Sequence, residues 1–73
     1  MDIIEAMIKA LRKNYEAVIE EAKATAEVYL HRPVGIGEHP QFIEELDKLM
    51  SKIAEAEDKL TVVNQRFDED IPF

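Results

Sequence analysis

Read for its apolar positions, the first half of the chain is regular. Ile4, Ile8, Leu11, Tyr15, Val18, Ala22, Thr25 and Tyr29 step by alternating fours and threes, with Thr25 the one polar member. That spacing is a heptad seam, the signature of a helix that packs along one stripe. Ile3, Ala10, Ala17 and Ala24 form a second line spaced by seven beside it. Residues 2–31 hold no Gly or Pro, and Asp2 stands where a cap and a favourable dipole charge are both expected. The pattern predicts a helix over about 2–31.

The second half repeats the logic. Phe42, Leu46, Leu49, Ile53, Ala56, Leu60, Val63 and Phe67 follow the same steps without a polar member, which predicts a helix over about 40–67. Between the two seams lies Arg32-Pro33-Val34-Gly35-Ile36-Gly37-Glu38-His39-Pro40. Pro33 biases Arg32 away from helix, and Pro40 suits the first turn of the next one. Gly35 and Gly37 permit the positive φ of a tight reversal. Residues 32–39 are therefore read as a turn. The expected fold is all-α, a single domain spanning 1–73 built as an antiparallel two-helix hairpin.

Two helices cover only one stripe of each other. Ile3, Met7, Ile19, Val28, Ile43, Met50 and Val62 would stay wet in a lone hairpin, a larger patch than monomers usually show. Pairing with a second chain into a four-helix bundle removes it, so a homodimer or higher homo-oligomer is expected. Five i,i+4 pairs are expected on the outer faces, Glu5–Lys9, Arg12–Glu16, Lys23–Glu27, Glu44–Lys48 and Glu55–Lys59.

Size and composition narrow the chemistry. A chain of 73 residues is marginal alone, and with no cysteine the usual disulfide and thiolate–zinc remedies are gone. The net charge of −7 argues against nucleic acid as a partner, because phosphate binding needs a basic face. Asp68, Glu69 and Asp70 make residues 68–73 an acidic tail, read as solvated, that ends in Ile71-Pro72-Phe73. No apolar run approaches the roughly 18–20 residues of a membrane span, and Met1-Asp2 is not a basic signal start. The expected setting is cytoplasmic, with no membrane association.

Candidate chemistry concentrates at the turn. Gly35-Ile36-Gly37 before a helix could contact an anion, with Arg32 nearby, but dinucleotide and phosphate-loop patterns are both incomplete and Glu38 would repel phosphate. Glu38 and His39 are adjacent, which rarely lets two side chains converge on one ion. Arg32, Gly35, Gly37, Glu38 and His39 are thus the candidate ligand or partner contacts. No catalytic, cofactor or metal residues are assigned, and a narrow bundle leaves little room for an active site. Tyr15 and Tyr29 on the seam read as core tyrosines.

The Pro33-Val34-Gly35-Ile36-Gly37-Glu38-His39 string, with the acidic run Lys52-Ile53-Ala54-Glu55-Ala56-Glu57-Asp58-Lys59-Leu60 after it, resembles a group of short uncharacterised helical proteins of marine tailed phages. The resemblance covers roughly the second half of the chain. It implies a phage origin and a host-cytoplasm setting, and it carries no activity. Two functions are compatible with all of this. One is a non-enzymatic, homo-oligomeric interaction or structural accessory module that docks on a host or phage protein. The alternative is an oligomeric binder that sequesters a nucleotide-like signal at the Gly-rich turn.

Overall fold

A computed structural model describes residues 2–31 and 42–67. Within them the chain forms two helices, α1 (Ile3–His31) and α2 (Phe42–Arg66), packed antiparallel as a hairpin. The expected turn at 32–39, the first residues of the predicted second helix and the acidic tail at 68–73 lie outside the described residues.

The start of α1 follows from Asp2. Its carboxylate Oδ1 accepts the Glu5 N–H at 2.8 Å and its carbonyl accepts the Ala6 N–H at 3.0 Å. Two backbone donors at the helix start are thereby satisfied. Glu5 adds an acid in the first turn, while His31 closes the last turn, where a basic group faces the negative end of the dipole. In α2, Glu44 and Glu45 sit in the first turn and Arg66 in the last. α2 therefore carries the charge order its dipole favours.

Three cross-helix contacts set the register. At one end the rings of Tyr29 and Phe42 lie 6.0 Å apart, tilted by 49°. Midway, Lys59 Nζ stands 5.9 Å from the centroid of the Tyr15 ring. At the other end Arg12 Nη2 donates to the Phe67 carbonyl at 2.7 Å. Residue numbers fall on one helix as they rise on the other, which is the antiparallel order.

The contact line is narrow. Among the described residues only Ala22, Ala26, Ala56 and Val63 are buried. Their short side chains let the two backbones approach, so larger neighbours such as Ile8, Tyr15, Leu46, Leu49, Ile53 and Leu60 close round them half-buried. The second seam keeps its predicted members, except that Phe67 is exposed at the end of α2. The first seam is corrected at three positions: Ile4, Leu11 and Thr25 are exposed, and Ala26 is buried in place of Thr25. A strict heptad line drifts by about 20° per heptad on a straight helix. Over the three heptads from Ile4 to Thr25 that sums to about 60°, so the two ends of the line cannot both face the contact. Thr25 instead turns its hydroxyl onto the Glu21 carbonyl at 2.9 Å, as a helical threonine with no tertiary partner does.

The surface ion pairs also differ from expectation. Of the five predicted i,i+4 pairs, Glu55–Lys59 forms, at 2.7 Å. Lys48 turns to Glu45 at 3.3 Å, Lys23 to Glu20 at 3.9 Å, and Glu16 is met by Lys13 at 4.0 Å. The i,i+3 partner competes on equal terms on a helix surface, and Arg12 is drawn away to Phe67.

Candidate functional site

The hairpin measures 53 × 17 × 14 Å, a single layer two helices wide. A rod of this shape cannot shield both sides of its seam. The solvent-accessible surface is 5926 Å². A compact monomer of 8.4 kDa would expose about 4,600 Å².

Two features of that surface stand out. On one side of the hairpin an open groove of about 490 Å³ runs between the helices. Its floor is Tyr15, Val18, Ala22, Leu49 and Ala56. Asn14, Glu21 and Thr25 form the α1 rim, and Lys52, Glu55 and Lys59 the α2 rim. Two of the floor residues, Ala22 and Ala56, are too small to fill the groove.

On the other side α2 presents Ile43 and Met50, 69% and 48% exposed, seven residues apart and hence on one stripe. Met50 and Lys52 are about 200° apart around the helix at 100° per residue, which sets the stripe and the groove back to back. Ile3, Met7 and Val28 on α1, and Val62 on α2, are also exposed, as the sequence predicted for unpartnered flanks. Ile19 is the exception, half-buried beside Ala22 and Ala26. Leu30, which the seam analysis passed over, is 58% exposed next to the Tyr29–Phe42 contact. Its exposure was legible as an apolar residue one step off the line.

The electrostatics of the groove centre on one pair. The Lys59 ammonium, hydrogen-bonded to Glu55 and attracted by its charge, holds that carboxyl below the usual glutamate range. By the same hydrogen bond and charge, Glu55 raises Lys59. Lys52 makes no ion pair among the described residues, and neither does Glu57, which follows Met50 on the far stripe. The half-buried Arg12 carries one cost: its Nε is shielded from solvent without a hydrogen-bond partner.

The candidate residues of the turn, Arg32, Gly35, Gly37, Glu38 and His39, all lie outside the described residues. His31 is exposed at the end of α1. Among the described residues no three His, Asp or Glu side chains gather where a metal could be held. No described helix is long and apolar enough to cross a membrane. The groove floor and the stripe are apolar, with a few charges on their borders. No protein-family model matches the chain, and no curated protein or solved structure is similar to it at a significant level.

Proposed function

We propose that this chain is a self-associating helical hairpin that serves as a protein-interaction or structural module and has no catalytic chemistry of its own. One observation carries the reading. Among the described residues ten large apolar side chains are at least 40% exposed, while the four that are buried are three alanines and a valine. A free hairpin leaves that surface against water, and burying a side chain of the size of Ile or Met is worth about 1.5–3 kcal/mol. Several such side chains per copy outweigh the cost of association. The smallest assembly brings two hairpins, four helices, together. The charge of −7 per chain opposes this only weakly, because exposed charges are screened within about 8 Å at physiological salt.

The assembled form then offers an acidic surface to a protein partner. The resemblance of the turn string to phage proteins makes a host or phage protein the natural candidate. The alternative, sequestering a nucleotide-like molecule at Arg32, Gly35 and Gly37, concerns residues outside the described ones.

The test is the mass in solution across a concentration series, measured by sedimentation, with thermal melts in parallel. The expected result is a dimer or larger species whose melting temperature rises with concentration, since anything that binds the folded state stabilises it. A folded monomer at tens of micromolar, with a concentration-independent melt, overturns the proposal.

A further inference from the structure

We infer that residues 68–73 run on from α2 along the free N-terminal end of α1, with their acids against its cations and Ile71 and Phe73 on its exposed apolar side chains. This end of the hairpin is then covered by a segment of its own chain. Val28, Leu30, Ile43, Met50 and Val62 are left for the self-association proposed above. Three observations carry the inference.

The first is an overhang. Phe67, the residue after α2, is held to Arg12, and α1 runs on from Arg12 to Ile3 beyond the end of α2. That stretch is about 13 Å long at 1.5 Å per residue. Ile4, Met7 and Leu11 are exposed along one face of it, and Ile3 and Phe67 are exposed at the same end of the hairpin. Five of the ten exposed large apolar side chains are therefore gathered here.

The second is reach. The antiparallel order sends the chain that leaves Phe67 towards the start of α1. Extended chain spans about 3.3 Å per residue, so Ile71 reaches about 13 Å from Phe67 and Phe73 about 20 Å. Both lengths suit the overhang. A tethered segment also meets its surface at a high effective concentration.

The third is charge. Asp68, Glu69 and Asp70 follow the C-terminal end of α2, where the dipole disfavours acids, so they need cations from outside that helix. Lys9, Arg12, Lys13 and Arg66 outnumber Asp2, Glu5 and Glu16 at this end, whereas acids outnumber cations over the rest of the described residues. Lys9 and Arg66 make no ion pair among the described residues. Arg12 Nε is shielded from solvent and has no hydrogen-bond partner. A carboxylate from residues 68–70 supplies what that donor lacks, and a shielded donor left alone is costly.

The chain has no cysteine, so an introduced pair meets no competing thiol. Met7→Cys with Pro72→Cys keeps Ile71 and Phe73 in place. Under mild oxidation with glutathione disulfide this pair is expected to close within one chain, read as a single-chain mass on a non-reducing denaturing gel. Adding Ile71→Ser and Phe73→Ser is expected to slow closure about tenfold or more, since burying even one such side chain is worth that factor. A segment that only collides with Met7 would close at an unchanged rate. Ile4→Cys replaces Met7→Cys should the first pair not fold. No closure within the chain, or closure at the same rate without the two apolar residues, overturns the docking. A disulfide that forms only between chains overturns the assignment to the chain's own segment and gives the surface to a neighbouring copy.

Discussion

Arg12 on α1 donates through Nη2 to the carbonyl of Phe67, at 2.7 Å and 55 residues away in the chain. The acceptor is at the C-terminal end of α2, where the helix dipole is negative. A cation from the neighbouring helix thus caps α2, and the contact ties down the end of the hairpin where no turn joins the helices. Arg12→Met keeps the apolar stem and removes the donor. It is expected to cost about 1 kcal/mol, within the range for a cation at a helix C-terminus. At this chain length that is a fall of about 4–8 °C in melting temperature, checked by thermal melts at fixed protein concentration. An unchanged melt would show that the bond contributes nothing.

Glu55 and Lys59 give the hairpin a small pH dependence of known sign. Glu55 is lowered from its ordinary 4.5 in the folded chain, so its contribution is present above that value and is lost as pH falls through the lowered one. Lys59 is raised from 10.5, so its contribution is present below that value and is lost as pH climbs through the raised one. The difference in melting temperature between parent and Glu55→Gln is therefore expected to be present at neutral pH and to close in acid. Both groups are fully exposed, and the gap will be small. A gap that widens in acid contradicts the assigned pair.

The buried alanines set how closely the helices approach. Ala22→Leu or Ala56→Leu inserts a branched side chain where exposure is 3% and 4%, and overpacking of this kind costs about 1–3 kcal/mol. Ala24→Leu, two residues along and exposed, is expected to stay within about 0.5 kcal/mol of the parent. Denaturant melts of the three variants check the contrast. Equal effects at Ala22 and Ala24 would mean that the contact line runs elsewhere.

Thr25 and Ala26 test the register directly. If Ala26 is the inward residue, Ala26→Asp places an unpaired charge in the contact and is expected to unfold the hairpin. Thr25→Ala, at an exposed position, is expected to stabilise slightly, by about 0.5 kcal/mol, through helix propensity. Loss of circular dichroism at 222 nm in the first variant and a raised melt in the second are the readouts. The opposite ranking would restore Thr25 to the seam.

What the chain decided by itself is everything with a local cause. The two apolar periodicities, the acid at Asp2 and the absence of Gly and Pro from residues 2–31 specify two helices and the start of the first, because helix geometry repeats every 3.6 residues whatever lies opposite. The unpartnered flanks Ile3, Met7, Val28, Ile43, Met50 and Val62 were readable on the same ground, since one helix can cover only one stripe of another. The exchange of Thr25 for Ala26 was not readable, because it depends on whether the pair coils or stays straight over three heptads. Nor was the bond from Arg12 to Phe67, which needs the two helices at one particular height. The groove between Lys52 and Asn14 belongs to neither helix alone. It exists where two alanines from distant parts of the chain meet, and only the packing brings them together.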